Sequence, residues 1–481
     1  MKRSTGLIGD LLRQANGNEK NFRLAVRYAQ AFSNALSKNH YIVLCAVSVP
    51  LAQAISLGAW MAGFPVAYLD PALSKSQLDH ALSQLGTTLN IGFPNCLSGP
   101  EEKLNWLAPD ADGRASNNLS DWLQRHCSEA QFIPHEWQDD ECAVVIFTSG
   151  TSGMPKGVCH SIGNLMRSAQ LFIKQFAIVS QDRLLNMAPL HTVSGLRVSV
   201  LVQLLTGCQL TKTPKAGDLE DILNVIREAE PTVVISGPQL IRQIAQLADK
   251  LDNKLESIRV FLSAGAKLDC RSRVKIWERH RIPVLDYYGL TETAGLVIAG
   301  KLDHYNPELT SIGKACSGVT VDLAEVEGIT DPSEEIGQLR IYSPNLFLGY
   351  LGESLHRRQY FDTGDLCMRD EAGNISLKGR LDHGVKASSN LWLFPQAVEQ
   401  LLINRSDVAD AFVRSEYDKY DRGFLRAKVV PANSEAIDDG WFTTLSKDIV
   451  DQFGPDYKAV EIEIASAIHR TALGKIIKDS V

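Results

Sequence analysis

Residues 148–158 read TSGTSGMPKGV and close an apolar run, CAVVIF, at 142–147. Gly150, Gly153 and Gly157 let the backbone approach an anion closely, and successive N–H groups there can form an anion-binding nest. Thr148, Ser149, Thr151 and Ser152 add hydroxyl donors, and Lys156 adds a point charge suited to a polyphosphate. The spacing is not that of a Walker loop, because Gly157, not Ser or Thr, follows the lysine. Read alone, the stretch is either a phosphate-holding loop or a flexible surface turn.

Other residues extend the same chemistry. In DYYGLTET (286–293) a strand, PVLDYY, runs out into Gly289, and ligands of α/β sheets bind at such C-terminal strand edges. Tyr288 can stack on a purine and Asp286 can accept from an exocyclic amine. Thr291 offers a hydroxyl to a phosphate, and Glu292 a hard oxygen ligand to Mg²⁺. Strand packing competes for Tyr287 and Tyr288, and a helix-start role for Glu292. In YFDTGDL (360–366), Asp365 can accept both hydroxyls of a ribose or close an Asx turn. In LKGRLD (377–382), Arg380 can reach the same ribose or a phosphate, and Asp382 marks a candidate hinge. RTALGKI (470–476) sets Lys475 beside Gly474.

The elements that would hold these residues follow from the apolar pattern. Strand-like runs at 142–147, 232–236, 259–264, 283–288 and 337–342 alternate with helical periodicity at 160–176, 219–229 and 238–251. That alternation predicts an α/β fold of layered, mostly parallel sheets with flanking helices. At 481 residues the chain is too long for one ordinary domain. We expect a large N-terminal domain over 1–379 and a small C-terminal α+β domain over 380–481, joined at GRLDHGVK. Residues 41–69 carry no charge and are long enough to span a bilayer, but two prolines, two glycines and Gln53 divide them as a strand–helix–strand unit does. No membrane span is therefore expected, and the N-terminus lacks the apolar core of a signal peptide. The net charge of −7 gives no footprint for nucleic acid. Nine scattered cysteines without a CxxC pair predict reduced thiols, a cytoplasmic location and no zinc site.

These motifs, in this order, resemble the adenylate-forming superfamily of acyl- and aryl-CoA synthetases, peptide-synthetase adenylation domains and firefly luciferase. The resemblance runs from about residue 25 to the end, through GAWMAGFPVAYLDPALSKSQL, TSGTSGMPKGV, PLHTVSG, SAGAKLD, YYGLTE, GQLRIYSPNLFLGY, YFDTGDL, GRLD and RTALGKI. It implies that a carboxylic acid attacks the α-phosphate of ATP with Mg²⁺, giving an acyl-adenylate and pyrophosphate, and that a thiol then takes the acyl group. Lys475 is implied to bridge the acid and the α-phosphate, Thr291 to hold that phosphate, Glu292 to hold the metal, and Lys156 with its loop to guide pyrophosphate. The rest of the implied ATP site comprises Gly265, Ala266, Asp286, Tyr287, Tyr288, Gly289, Asp365 and Arg380. The implied acyl pocket comprises His191, Ser194, Gly195, Ala264, Gly265 and Gly289, and Asp382 is the implied pivot of the small domain.

His191 in PLHTVSG and leucine in YYGLTE lean toward acids without an α-amino group, as in the CoA ligases of the family. Arg197 is either a partner for a second anionic group or an exposed helix residue. The thiol is CoA or the phosphopantetheine of an acyl or peptidyl carrier protein; a silent nucleotide- or acyl-binding relative is the reading from another class. Two departures from the family pattern stand out. Ser389 takes a usual glycine position in the loop Ala387–Pro395, which bears on thioester formation, and LGYLGESLHRRQYFDTGDL is shortened, which the chemistry should tolerate.

Overall fold

A computed structural model describes residues 19–97, 105–108, 118–128, 133–149, 153–211, 219–251, 255–309, 311–329, 335–387, 392–418, 423–433 and 437–468. The chain divides into two compact units. One comprises residues 1–212, 289–296 and 343–359, the other 213–288, 297–342 and 360–481.

The first unit is built on a seven-stranded sheet in the order Gly349–Tyr350, Pro155–His160, Val144–Ser149, Val66–Leu69, Tyr41–Cys45, Thr88–Gly92, Trp106–Leu107. The last five strands run parallel, whereas Pro155–His160 and Gly349–Tyr350 are added antiparallel. The uncharged stretch at 41–69 becomes strand Tyr41–Cys45, helix Val49–Ala62 and strand Val66–Leu69, with Ile42 opposite Val66. Pro50 enters that helix in its first turn, where a missing N–H costs nothing. Among the described residues no helix is long and apolar enough to cross a membrane. Val43, Ala67, Val145, Cys159 and Leu348 pack into one apolar cluster under the sheet.

The glycine-rich stretch is flanked by an antiparallel strand pair: Thr148 lies opposite Lys156 and Ser149 opposite Pro155. Helix Lys75–Leu85 braces it. Gln84 Nε2 donates to the Pro155 carbonyl (3.0 Å), and Gln77 Nε2 to the Gly153 carbonyl (3.0 Å). The same Gln77 closes a capping box, its Oε1 accepting from Ser74 N (3.0 Å) while Ser74 Oγ accepts from Gln77 N (3.3 Å).

The second unit has a parallel core in which Val260–Ser263 lies between Val233–Ser236 and Val284–Leu290. The helical pattern at 238–251 is realised as helix Pro238–Gln246 and a 3₁₀ turn, Ala248–Lys250, whose tighter bonds take up the last carbonyls. A four-stranded antiparallel sheet follows, in the order Thr320–Ala324, Glu335–Tyr342, Phe361–Arg369, Ile375–Arg380. The expected boundary at 379/380 falls inside this unit, within Ile375–Arg380, the last strand of that sheet. Beyond it come a 3₁₀ turn, Leu381–His383, helix Pro395–Ile403, helix Asp439–Phe453 and the sheet Val408–Tyr417, Gly423–Pro431, Val460–Ile464. Val398, Leu402, Ala411, Leu425, Leu445 and Ile449 belong to a separate apolar cluster there.

Candidate active site

In the first unit the expected phosphate-side residues converge on one strand, Pro155–His160. Lys156 is exposed at its start, with Nζ 5.7 Å from the centroid of the Tyr350 ring. Strand pairing sets that contact, because Tyr350 lies opposite Val158, one same-face step from Lys156. The Tyr350 hydroxyl donates to Glu292 Oε1 at 3.0 Å. Burial, reinforced by the neighbouring Glu292 carboxylate, raises the Tyr350 hydroxyl well above its ordinary pKa, so it stays a donor.

At the other end of the strand His160 is fully buried, with Nε2 2.8 Å from the Thr291 carbonyl. A carbonyl only accepts, so Nε2 carries the proton, and Nδ1 has no hydrogen-bond partner among the described residues. Burial pushes its pKa down to about 4, which leaves the ring neutral near pH 7. One strand thus meets Thr291 at its carbonyl and, through Tyr350, Glu292 at its carboxylate.

The turn Thr291–Thr293 is fixed from several sides. Phe347 N donates to the Glu292 carbonyl (2.8 Å) and Ser168 Oγ to the Ala294 carbonyl (2.6 Å). Thr293 Oγ1 accepts from Leu290 N (2.9 Å) and donates to the Gly295 carbonyl (2.7 Å). Gly289 is required by this fold-back, since a Cβ there would lie 1.7 Å from the Gly295 carbonyl oxygen.

The expected acyl-pocket segment is a capped turn. Thr192 Oγ1 donates to the Pro189 carbonyl (2.7 Å) and accepts from Gly195 N (3.0 Å), starting helix Val193–Leu196. A Cβ on Gly195 would stand 1.9 Å from the Pro189 oxygen, so close backbone packing demands glycine at this position. His191, half-buried, sits with Nε2 3.6 Å from Asp70 Oδ2; burial lowers its pKa against the pull of that carboxylate. Ser194 is half-buried. Helix Val193–Leu196 continues as a π-helical turn, Arg197–Val202. Arg197 is not an exposed helix residue: it is fully buried, its guanidinium 4.6 Å from the Phe172 ring centroid. The apolar residues on either side of it, LRVSVLV, were the sequence sign of that burial.

In the second unit Tyr288 donates its hydroxyl to Asp365. Asp365 is buried and lies opposite Arg380 in the ladder, with Oδ1 3.6 Å from Nη1. Burial raises its carboxyl, while Tyr288 and Arg380 draw it down. Arg380 also grips Asp382 with Nε (2.9 Å) and Nη2 (3.2 Å), so the expected ribose ligand and the expected pivot share one guanidinium. DTGD is strand interior rather than a reverse turn; Thr363 Oγ1 donates to the Leu339 carbonyl (2.9 Å) and accepts from Asp365 N (3.0 Å).

Asp286 is buried against Arg273, Oδ2 to Nη1 3.0 Å, and burial pushes its carboxyl up to about 6 against that pull. Tyr287 is buried on the opposite strand face, and Tyr288 is half-buried on the Asp286 side. Gly265 and Ala266 are exposed and Ala264 half-buried, just past the strand Val260–Ser263. His160, Tyr350 and Arg273 went unmarked in the sequence, since each works through a neighbour remote in the chain.

Gly150, Thr151, Ser152 and Lys475 lie outside the described residues, as do 388–391 of the altered loop, and Ser149 is described by its backbone alone. Among the described residues no three His, Cys, Asp or Glu side chains gather as a metal cage. One carboxylate, Glu292, suits Mg²⁺ that keeps its waters and the oxygens of a bound phosphate.

The family description AMP-binding enzyme matches residues 20–351. The chain is 25% identical over 366 residues to the 2-succinylbenzoate–CoA ligase of Enterococcus faecalis, covering 75% of this chain and 72% of that one. It is 27% identical over 420 residues to a feruloyl-CoA synthase of an Amycolatopsis species, covering 85% and 81%. Its fold matches the o-succinylbenzoate coenzyme A synthetase of Bacillus subtilis in complex with ATP and magnesium ion, with a TM-score of 0.79 at 21% identity, over 98% of both chains. With the family match spanning well over half its length, the chain belongs to the AMP-binding enzyme family, within the adenylate-forming superfamily of acyl- and aryl-CoA synthetases.

Proposed function

We propose that this chain is an AMP-forming acid–thiol ligase: it activates a carboxylic acid lacking an α-amino group with ATP, releases pyrophosphate, and transfers the acyl group to the thiol of CoA. The observation that carries the reading is the cluster of Lys156, Tyr350, Glu292, Thr291 and His160 on two paired strands and one turn.

The chemistry needs two anions brought together and the charge that builds on phosphorus neutralised. Thr291, held by its carbonyl on His160, keeps its hydroxyl beside the α-phosphate, and Lys156 faces the departing pyrophosphate. Glu292 would hold Mg²⁺, which supplies charge neutralisation on the phosphate oxygens. The strand Val284–Leu290 carries Asp286 and Tyr288 and leads straight into Thr291 and Glu292. Tyr288, Gly265 and Ala266 would border the adenine, while Asp365, fixed by Tyr288 and Arg380, would accept the ribose hydroxyls. His191, Ser194, Gly195 and Ala264 would line the acid's pocket.

Lys475 would bridge acid and α-phosphate, and residues 380–481 would pivot at Asp382 between adenylation and thioester formation. The grip of Arg380 on Asp382 supports that placement, because it ties the pivot to the ribose ligand. Nine free cysteines fit work in the reducing cytoplasm. The relatives named above are CoA ligases by name, which favours CoA over a carrier protein.

Acid-dependent ATP–pyrophosphate exchange over fatty, aryl, amino and dicarboxylic acids tests the reading, followed by CoA or holo-carrier addition. Exchange with a non-amino acid and a soluble acyl-CoA product are expected. No exchange with any acid would overturn adenylation, and loading of a holo-carrier alone would overturn CoA as acceptor.

A further inference from the structure

Lys156 and Glu292 carry opposite charges and share a single aromatic neighbour. The Tyr350 ring receives the Lys156 ammonium at 5.7 Å from its centroid, and its hydroxyl donates to Glu292 Oε1 at 3.0 Å. The tyrosine that joins them is fixed through its backbone. Gly349 and Tyr350 are paired with Cys159 and Val158, so the tyrosine is stitched to the strand that carries the lysine. Glu353 closes the next turn, its Oε2 accepting from Tyr350 N (3.2 Å) and its own N donating to the Tyr350 carbonyl (3.0 Å). Phe347 packs edge-on to the Tyr350 ring, centroids 5.0 Å apart, and gives its N–H to the Glu292 carbonyl (2.8 Å). The segment from Phe347 to Tyr350 therefore holds Glu292 at its main chain and at its carboxylate.

This arrangement settles a conflict of charge. A flexible lysine left to pair with a nearby carboxylate would neutralise both groups, and neither would then be available to its own partner. A ring face gives the ammonium a weak contact that it can leave, and a hydroxyl gives the carboxylate one bond while lone pairs remain for another donor or a cation.

We propose that Tyr350 is a positioning residue that orients the Glu292 carboxylate for Mg²⁺ and keeps it from pairing with Lys156. The proposal rests on the adenylation reading above and adds a residue that acts on the metal ligand rather than on substrate.

The test is the affinity of Mn²⁺, as a paramagnetic substitute, for the enzyme saturated with ATP, followed by electron paramagnetic resonance beside the Mg²⁺ dependence of exchange. Tyr350→Phe keeps the ring against Lys156 and removes only the hydroxyl. It should weaken Mn²⁺ binding about tenfold, the scale of one hydrogen bond to a charged group, with kcat restored at high Mg²⁺. Glu292→Gln should weaken binding on its own, and adding Tyr350→Phe to it should bring no further loss, because the hydroxyl acts only through the carboxylate. Mn²⁺ affinity within twofold of wild type in Tyr350→Phe, or additive losses in the double variant, would overturn the proposal. If Tyr350→Phe fails to fold, the wild-type and Glu292→Gln proteins still decide it through the Tyr350→Leu pair made in each. Absence of acid-dependent exchange in the wild type overturns the parent reading instead, so the two failures are distinguishable.

Discussion

Replacing His160 with glutamine tests whether the strand Pro155–His160 and the Thr291 turn are joined by a neutral ring. Gln Nε2 can still donate to the Thr291 carbonyl but cannot take up a proton. His160 is fully buried and its pKa is held at about 4, against about 6.5 in an unfolded chain. Above pH 6.5 neither state binds a proton at this ring, and it makes stability no more or less pH-dependent. Between pH 6.5 and 4 only the unfolded chain binds one, so wild-type stability falls as the pH falls. Integrated from pH 7.5 to 5, the loss is about 2 kcal/mol for a depression to about 4. The first unit holds roughly 240 residues, for which about 2 kcal/mol corresponds to a Tm change of about 4 °C. Asp286, raised to about 6 by burial, acts in the opposite sense as pH drops, but it is common to both proteins and cancels in their difference. Differential scanning calorimetry of wild type and His160→Gln at pH 7.5 and 5.0 is the assay. The wild-type Tm should fall about 4 °C further than that of the variant. Tm curves that run parallel within about 1 °C would refute a buried, neutral His160.

Three further outcomes can be checked with little machinery. Lys475→Ala should abolish pyrophosphate exchange while equilibrium dialysis still shows ATP bound; unchanged exchange would remove that lysine from the chemistry. Gly195→Ala places a Cβ 1.9 Å from the Pro189 oxygen, so the turn carrying His191 must shift, and KM for the acid should rise about tenfold or more with KM for ATP unchanged. Tyr288→Phe removes the hydroxyl that fixes Asp365, and KM for ATP should rise about three- to tenfold while that for the acid holds; equal rises in both would place Tyr288 elsewhere.

Much of the fold was legible because its signals are local. The run at 41–69 declared itself as strand, helix and strand through Pro50, Gly63 and the β-branched residues, and it folded so. The glycine stretch read alone left an anion loop and a surface turn both open, and nothing within it showed that its flanks pair; that depends on Pro155–His160 closing antiparallel on Val144–Ser149. Asp365 and Arg380 were assigned to one ribose from separate motifs, but the ladder that sets them opposite each other joins strands whose register the sequence does not print. His160 and Tyr350 stayed invisible for the same reason. Each touches the Thr291–Glu292 turn from more than fifty residues away along the chain, across contacts made only when sheet and turn have assembled. Arg197 shows the converse error, in which charge suggested solvent and the apolar neighbours decided for the interior.

The side-chain amide of Gln77 is a single rigid plate with a task at each edge: its oxygen finishes the start of helix Lys75–Leu85, and its nitrogen holds a carbonyl ahead of strand Pro155–His160. Neither glutamate, which has no donor, nor a hydrophobic residue can serve both edges. The helix therefore holds the Gly153 carbonyl with the same side chain that sets its own first turn. The approach to strand Pro155–His160 is thus held by a helix about seventy positions upstream.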